Sequence, residues 1–331
     1  MKMMTVKEDD DGQRLDRWLK RHVSEMPYVL AQKLMRKGAI RIDGKRVKPE
    51  TRIKTGQEIK IPNFEVTTQK KKVPLRITQE DKKYLREMIL YEDEDVIALN
   101  KPAGIAVQGG SKTKRHIDGL LPALKKGDVV PRLVHRLDKE TSGVLLLARS
   151  AKAARELGFT FKKGNVKKLY WAITTPTPEI LEGTIKAPII KAGGVYETMV
   201  IDEEEGKSAI TEYSVIENAG RSAAFIAFWP RTGRTHQIRV HAASALGSAV
   251  LGDHKYKAKK DEECKLIDAD LAGMNLAKRL HLHSHRIILP HPIKKGVILD
   301  ITAPLSPELV KSWKNLGFNH KLKIDPFEAL D

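Results

Sequence analysis

Hydrophobic residues near the start of the chain recur at the spacing of two short amphipathic helices. Leu15, Trp18 and Leu19 lie three and four residues apart, with basic residues between them. The same spacing predicts a second helix over residues 27–37, and Gly38 is a suitable residue to end it. The chain is therefore expected to begin with a pair of helices.

An alternating pattern follows these helices. Ile42 and Val47 flank the pair Asp43 and Gly44, which is a strong signal for a two-residue hairpin turn. A last short strand is predicted over residues 58–61. Two helices and a hairpin therefore form a small module at the start of the chain.

The rest of the chain is rich in predicted strands. Residues 63–85 are polar, charged and poor in aromatic residues, which predicts a linker. Beyond them, short hydrophobic segments bounded by turn residues predict a larger α+β domain. The predicted strands are 96–99, 144–148, 170–174, 211–215, 223–229, 239–241 and 298–301, and the predicted helices are 151–161 and 307–316.

Composition narrows the class of protein. Hydrophobic residues make up 41% of the 331 residues, which is enough for a sizeable core and excludes a disordered chain. No apolar run approaches the ~18 residues of a membrane span, and the start of the chain turns acidic too early for a secretory signal. The single cysteine, Cys264, excludes an internal disulfide. We therefore expect a soluble, cytoplasmic protein.

The excess of positive charge is concentrated at the start of the chain. The formal net charge is +18, and residues 1–72 carry +9 of it. A strongly basic module attached to a more balanced domain indicates a polyanionic partner. The alternative is that these cations only keep a small domain soluble, although mixed signs are the norm for such a surface. The candidate nucleic-acid-binding residues on this face are Arg14, Arg17, Arg21, Lys33, Arg36, Lys37, Lys45 and Arg46.

Asp138 lies in a polar segment just before a predicted apolar strand. It is flanked by His135, Arg136 and Lys139, and cationic neighbours keep a carboxylate ionised. Gly143 permits a sharp entry into the strand. An ionised, positioned carboxylate can act as a nucleophile, a base or a metal ligand. The alternative is a turn residue paired with a neighbouring base.

A second candidate segment combines basic residues with histidines. If residues 237–241 form a strand, Gln237, Arg239 and His241 share one face of it. Arg239 can then pair with a carboxylate in the same cleft, and Arg234 lies in the preceding loop, where it can meet a phosphate. The alternative is a half-buried strand with a solvated polar face.

Alternation places Lys168 and Tyr170 on one face of a predicted strand. A tyrosine ring beside a lysine can stack on a nucleobase while the lysine contacts the phosphate. The alternative is a core aromatic residue with an exposed lysine beside it. The residues by themselves leave both interpretations open.

Three histidines alternate near the end of the chain. On a strand, His281, His283 and His285 would share a face, and such a spacing can bind zinc. A further ligand is not evident, so we favour a structural or nucleic-acid-facing strand and expect no metal. The sequence also lacks a P-loop, a Rossmann fingerprint and a nucleophile elbow, which removes the usual signatures of NTPases, dinucleotide-dependent enzymes and α/β-hydrolases.

Two parts of the chain resemble known families. Residues 12–62, which include RLDRWLKRH and GAIRIDGKRVK, resemble the S4 RNA-binding domain. A likeness to the RluA-type RNA pseudouridine synthases is carried by LVHRLDKETSGVLLLARS at 133–150, KKLYWAI at 167–173 and TGRTHQIRVHAASALGSAVLGD at 232–253. The S4-like module and an AVQGGS turn further resemble the RluC type, which acts on large-subunit ribosomal RNA.

The resemblance implies an α+β fold with a small S4-like domain over residues 1–72 and a catalytic domain over residues 85–331. The catalytic domain would have a mixed, mainly antiparallel sheet flanked by helices. The implied activity is isomerisation of specific uridines in large-subunit ribosomal RNA, free or in assembling particles, without a metal or a nucleotide cofactor. The alternatives are a non-catalytic RNA-binding assembly factor and a zinc-dependent hydrolase built on the histidines.

The resemblance also implies roles for individual residues. Asp138 corresponds to the family's essential aspartate, and Tyr170 to the active-site tyrosine that stacks on the target uracil and is a candidate for moving the C5 proton. Arg239 corresponds to the arginine that pairs with the aspartate, and Arg136 to the residue that fills the gap left by the extruded uridine. The remaining candidates for RNA contact in this domain are His135, Lys168, Arg234 and His236.

Overall fold

The chain divides into two compact units, Met1–Pro74 and Leu75–Asp331, each with its own hydrophobic core. Among the residues that the structure describes, no helix is both long and apolar enough to cross a membrane. Cys264 lies outside the described residues. The structure is a computed structural model that describes residues 1–64, 77–110, 113, 115–193, 198–258, 271 and 273–330.

The first unit combines a four-stranded antiparallel sheet with two helices. The strand order is β1-β4-β2-β3. Both helices contribute residues to the core that underlies the sheet. Its elements are β1 (Lys2–Thr5), α1 (Leu15–His22), α2 (Tyr28–Arg36), β2 (Arg41–Ile42), β3 (Lys45–Arg46) and β4 (Glu58–Ile61).

The local predictions for this unit are confirmed. Leu15, Trp18 and Leu19 are buried, which follows from their spacing along α1. Asp43 and Gly44 both have positive φ angles, 47° and 75°, as a two-residue hairpin turn requires. Strand β1 was not predicted, because three of its four residues are exposed and leave little hydrophobic pattern.

The second unit is built on an eleven-stranded sheet within its described residues. Its first elements are α3 (Gln79–Glu87), β5 (Ile89–Glu92), β6 (Val96–Lys101), α4 (Ile117–Leu120), β7 (Arg132–Leu133), β8 (Ser142–Ala148), α5 (Ala151–Lys163), β9 (Lys167–Thr175) and β10 (Glu182–Lys186). The later elements are β11 (Ile189–Lys191), β12 (Met199–Ile201), β13 (Ile210–Ala219), β14 (Ala223–Pro230), α6 (Gln237–Val240), a π-helical turn (His241–Ala245), β15 (Ala249–Val250), β16 (Leu282–Pro290), β17 (Ile298–Thr302) and α7 (Pro307–Asn315).

The order of the main strands is β10-β13-β14-β9-β16-β8-β6-β5. Strand β15 pairs with β9, β17 with β16, and β7 with β8, while β11 and β12 form a separate pair. Only the pairing of β16 with β8 is parallel among these described strands. The predicted mixed, mainly antiparallel sheet is therefore confirmed.

Strand β8 shows how the sheet is covered on both faces. All seven of its residues are buried. Leu145 and Leu147 pack in a cluster with Leu85 of α3, whereas Val144 and Leu146 pack in another cluster with residues of α5. A strand buried on both faces gives a continuous apolar run rather than alternation, which explains why this strand was readable from the sequence.

The predicted linker over residues 63–85 is wrong at its C-terminal end. Residues 65–76 lie outside the described residues, but α3 begins at residue 79. Thr78 and Asp81 form a capping box at its start, and Leu85 is fully buried. The helix is polar on its outer side, so its composition resembles that of a linker.

The predicted strand over residues 237–241 is also wrong. The segment forms α6 and the start of the π-helical turn, after His236 turns the chain with a φ of 54°. The apparent alternation does not separate a buried face from a solvated one, because the polar residues are buried too. Gln237 Nε2 donates to Thr211 Oγ1 at 2.9 Å, and His241 Nδ1 lies 2.8 Å from the same hydroxyl.

Candidate active site

A cavity of about 670 Å³ lies in the second unit. Asp138, Tyr170 and Arg239 all line it, together with the last turn of α5 and the segment that follows β14. Of the described residues that line it, seven are Lys or Arg and only Asp138 is a carboxylate. The cavity is therefore a basic hollow with a single acid, within the usual size range of ligand sites.

A buried lysine fixes the loop that carries Asp138. Lys101 is fully buried, and its Nζ donates to the carbonyl oxygens of Ile105 at 3.0 Å and of Lys139 at 3.2 Å. Burial lowers the pKa of Lys101 to about 7. The backbone N–H of Thr141 donates to the Asp138 carbonyl at 3.2 Å. These bonds hold Asp138 at the cavity without using its carboxylate.

Gly143 permits the chain to enter β8 beside β16. Its φ is +109°, and a Cβ atom there would lie 2.1 Å from the Ser284 carbonyl oxygen. Any side chain would therefore collide with the neighbouring strand. The expected sharp turn after Asp138 is present, and its cause is this close parallel pairing.

Lys168 and Tyr170 both face the cavity from β9, so the prediction that they share a face is confirmed. Burial raises the pKa of Tyr170 to about 12, and the nearby Asp138 carboxylate adds to the rise, although a hydrogen bond with Ser284 opposes it. Burial lowers the pKa of Lys168 to about 8, and its Nζ donates to the Thr232 carbonyl at 3.4 Å. The ring at this site is therefore a protonated phenol at neutral pH.

Arg239 does not form the ion pair with Asp138 that the resemblance implied. Its Nε and Nη2 donate instead to the two carboxylate oxygens of Asp253, at 2.6 and 2.7 Å. Burial favours a lower pKa for Arg239, but the bonds to Asp253 outweigh it and raise the pKa. The sequence could not reveal this pairing, because Asp253 lies in the loop that follows β15. Arg239 still lines the cavity as a fixed positive charge that attracts Asp138.

Among the described residues, the ion-pair partner of the Asp138 carboxylate is His236. Its Nε2 lies 3.9 Å from Asp138 Oδ2, and its Nδ1 lies 2.6 Å from the Tyr256 hydroxyl. Burial lowers the pKa of His236, against the opposing effect of Asp138. The left-handed backbone at His236 turns this ring toward the cavity.

The other residues of this unit that were expected to contact RNA also line the cavity. Arg136 and Arg234 are exposed at its surface, and Arg234 Nε donates to the Ser208 carbonyl at 2.9 Å. His135 is different, because its Nε2 accepts the backbone N–H of Leu146 at 2.8 Å and burial lowers its pKa to about 3. The His135 ring is therefore neutral, and it contributes the surface of the ring to the cavity rather than a positive charge.

The three alternating histidines are engaged separately. His281 Nε2 lies 2.9 Å from the Ser312 hydroxyl, His283 Nε2 lies 3.0 Å from a backbone carbonyl, and the His285 ring stacks on Trp171 at 3.5 Å. Burial lowers the pKa of each ring to about 3 or 4. These contacts fit a structural strand rather than a zinc site.

One group among the described residues has the composition of a metal site: Asp93, Asp95 and His291. Asp93 Oδ2, however, accepts from the Tyr91 hydroxyl at 2.8 Å and from Lys294 Nζ at 3.0 Å, and it lies 2.8 Å from His291 Nε2. Its Oδ1 accepts two backbone N–H groups. The carboxylate is already satisfied by protein donors, so this group is a hydrogen-bonded ion pair.

The basic face of the first unit is largely exposed. Arg14 is the exception, because it is half-buried and forms a fork with Asp16 at 2.7 and 3.1 Å. Arg21 also pairs with Asp10 at 3.2 Å while remaining exposed. The exposed members of the predicted set are Arg17, Arg21, Lys33, Arg36, Lys37, Lys45 and Arg46.

Sequence reasoning did not single out several residues of the site, among them Asp253, Tyr256, Arg231, Lys162 and Lys163. Lys162 and Lys163 are the last two residues of α5, at the edge of the cavity. Their positive charges interact favourably with the negative end of the helix dipole. Asp253 is the last residue of the segment 232–253, which carries the family resemblance. That position was the signal in the sequence that could have pointed to Asp253. Its partner could be found only once both residues were placed in space.

These features fit an enzyme that modifies nucleic acid: the described lining of the basic cavity includes one carboxylate beside a tyrosine, and a separate unit carries an exposed basic face. Residues 95–244 match the family described as RNA pseudouridylate synthase, and residues 13–59 match the S4 domain. The chain belongs to the RNA pseudouridylate synthase family.

The relatives and solved structures agree with this assignment. Ribosomal large subunit pseudouridine synthase C of Pasteurella multocida is 36% identical over 314 residues, which cover 94% of this chain and 92% of that protein. The synthase of the same name from Escherichia coli strain K12 is 33% identical and covers 96% of this chain and 97% of its own length. The structure of human RNA pseudouridylate synthase domain containing 4 matches with a TM-score of 0.59 and 30% identity, over 71% of this chain and 95% of that chain.

Proposed function

We propose that this chain is a ribosomal RNA pseudouridine synthase that isomerises specific uridines of the large-subunit RNA in the cytoplasm. The observation that carries the proposal is the cavity, in whose described lining Asp138 is the only carboxylate, beside the Tyr170 ring and among seven Lys and Arg side chains. RNA reaches such a hollow by attraction of its phosphates to the cations. The names of the similar bacterial proteins favour large-subunit RNA as the substrate.

The target uridine first leaves its stack, because its reacting atoms are unreachable inside a helix. Extrusion costs a few kcal/mol. Stacking of the extruded base on Tyr170 contributes about 1–3 kcal/mol in return. Arg136 is exposed at the cavity and long enough to fill the gap in the RNA, which offsets part of the remaining cost.

Asp138 then acts on the ribose, either by attack at the anomeric carbon or by removal of a ribose proton. Both routes need carboxylate oxygens that are not committed to other donors. Within the described residues, no hydrogen bond holds the Asp138 carboxylate, and its ion-pair contact with His236 spans 3.9 Å. The fixed positive charge of Arg239 lies nearby and attracts the Asp138 carboxylate.

The base separates from the ribose, turns, and rejoins it through C5. The reaction is an isomerisation with no net redox change or hydrolysis, so it needs no redox cofactor and no nucleotide. C5 then gives up its proton to solvent, and N1, freed from the ribose, takes up one proton, so the atoms of the isomer balance. With a pKa near 12, Tyr170 holds its own proton at neutral pH in the RNA-free chain, so we assign it the stacking role.

The exposed basic face of the first unit supplies further contacts to structured RNA. The substrate is ribosomal RNA, either free or in an assembling particle. A side-by-side comparison of pseudouridine maps from cells with and without the gene would identify the modified positions.

Release of tritium from RNA labelled at uridine C5 tests the activity directly. The full chain should release tritium from a large-subunit RNA transcript. A non-catalytic RNA-binding assembly factor would bind the same transcript and release none, and that result would overturn the proposal.

A further inference from the structure

Asp253 is a buried acid that the proposed reaction does not use directly. Its side chain is fully buried, and both of its oxygens face the Arg239 guanidinium as a two-bond fork. Such a planar, charge-assisted fork fixes both the place and the orientation of an arginine. Arg239 is therefore not a freely moving cation at the cavity.

The Asp253 carboxylate is held by the chain as well as by the arginine. Its Oδ1 also accepts the backbone N–H groups of Lys255 at 2.8 Å and Tyr256 at 3.1 Å. The preceding Gly252 has a φ of +77°, and a Cβ atom there would lie 2.0 Å from the Arg279 carbonyl oxygen. The loop thus fixes Asp253, and Asp253 in turn fixes Arg239.

The same turn places a second group near Asp138. Tyr256, whose N–H donates to Asp253, brings its hydroxyl 2.6 Å from His236 Nδ1. The opposite nitrogen of that ring, Nε2, lies 3.9 Å from Asp138 Oδ2. One short loop therefore orients two cavity-lining side chains, Arg239 and His236.

This arrangement has a consequence for Asp138. Arg239 lines the same cavity as Asp138 and attracts it, but both bonds of its fork go to Asp253. By binding Arg239 itself, Asp253 keeps the positive charge close while the Asp138 carboxylate stays available.

We propose that Asp253 and Tyr256 are positioning residues of this enzyme, which hold Arg239 and His236 in place so that Asp138 can act on the ribose. The proposal rests on the proposed function, because it assigns how the cavity is organised for that reaction. It predicts a loss in kcat and little change in KM, since neither residue would contact the RNA.

Tyr256→Phe is the variant that spares the fold, because it removes one hydroxyl and keeps the ring. Loss of the contact with His236 Nδ1 predicts a fall in kcat of about fivefold. The hydroxyl also accepts the Met199 N–H at 3.0 Å, and thermal unfolding measures what the loss of that second bond costs in stability. The KM for an RNA transcript should stay within about twofold. An unchanged kcat would overturn the role of Tyr256 whatever happens at Asp253.

Asp253→Asn keeps the shape but breaks the charged fork, and kcat should fall at least about tenfold. Asp300→Asn is the matched control, because Asp300 forms a similar fork with Arg286 but does not line the cavity. Its kcat should equal that of the unmodified chain. Thermal unfolding and RNA affinity, measured on the same samples, show whether each variant is folded.

A double-mutant cycle separates positioning from general stability. In a background of Arg239→Lys, which cannot form the fork, Asp253→Asn should lower kcat by less than about twofold further. Losses that multiply would mean that Asp253 acts independently of Arg239 and would refute the proposal. If Asp253→Asn does not fold, the Tyr256→Phe result decides. Failure of the proposed function is distinguishable, because the unmodified chain would then release no tritium at all.

Discussion

Replacement of Asp138 by asparagine is the most direct test of the proposed chemistry. The change keeps the size of the side chain and removes its charge and its nucleophilic oxygen. Loss of a positioned acid or base costs about 10²–10⁴-fold in rate. The loop should keep its shape, because Lys101 and Thr141 bind its backbone and not the Asp138 carboxylate. We therefore expect turnover to fall at least a hundredfold in a folded protein.

RNA affinity should move in the opposite direction. Asp138 is the only carboxylate among the described residues that line the cavity, and removal of its negative charge reduces the repulsion of a phosphate. Two charges 4 Å apart interact with about 1 kcal/mol in water. At roughly twice that distance the gain is about 0.5 kcal/mol, which corresponds to binding about twofold tighter.

The assay combines tritium release under single-turnover conditions with fluorescence anisotropy on the same labelled RNA. Asp128→Asn is the control, because it removes an aspartate charge at a fully exposed position away from the cavity. It should match the unmodified chain in both measurements. Tritium release by Asp138→Asn within tenfold of the unmodified rate would refute the catalytic role. A parallel collapse of RNA binding would show that Asp138 maintains the site rather than reacting in it.

Three further outcomes test other parts of the structure. Tyr170→Leu should lower turnover at least about fivefold in the tritium assay, because stacking of one base is lost; equal turnover would exclude the stacking role. Lys37 is exposed, and one phosphate contact contributes about 0.7–0.9 to the slope of log affinity against log salt, so Lys37→Gln should reduce that slope by this amount. The control is Lys311→Gln, at an exposed position on α7, which should leave the slope unchanged. Burial lowers the pKa of His283 from 6.5 to about 4, so below pH 6.5 the unfolded chain binds a proton that the folded chain does not. Unfolding free energy should therefore fall by about 1.4 kcal/mol per pH unit from this group between pH 6.5 and 4, and denaturant titrations of His283→Gln should show a shallower fall.

Much of the fold was readable because the signals are local. Residues 144–148 form a continuous apolar run, and the structure buries all of them in β8. The hairpin follows from Asp43 and Gly44, which accept the positive φ angles that its turn requires. In the same way, the alternation along β9 was sufficient to place Lys168 and Tyr170 on one face.

Local signals failed where polar residues are buried. Residues 237–241 alternate like a strand, yet they form a helix, because Gln237 and His241 both bind the distant Thr211 hydroxyl. In α3, a polar outer surface concealed a helix that buries Leu85. The polarity of a residue indicates how it interacts with water on average. It does not identify the residue that it will contact in the folded protein.

The sequence by itself determined the two-part organisation, the basic character of the first unit, and the residues Asp138 and Tyr170 at the cavity. Those features depend on local periodicity, on summed charge and on short motifs. Only the tertiary structure decided which carboxylate holds Arg239, because that choice depends on the loop that fixes Asp253 against the arginine. A fork requires two rigid groups within about 3 Å, and spacing along a chain does not specify such a distance.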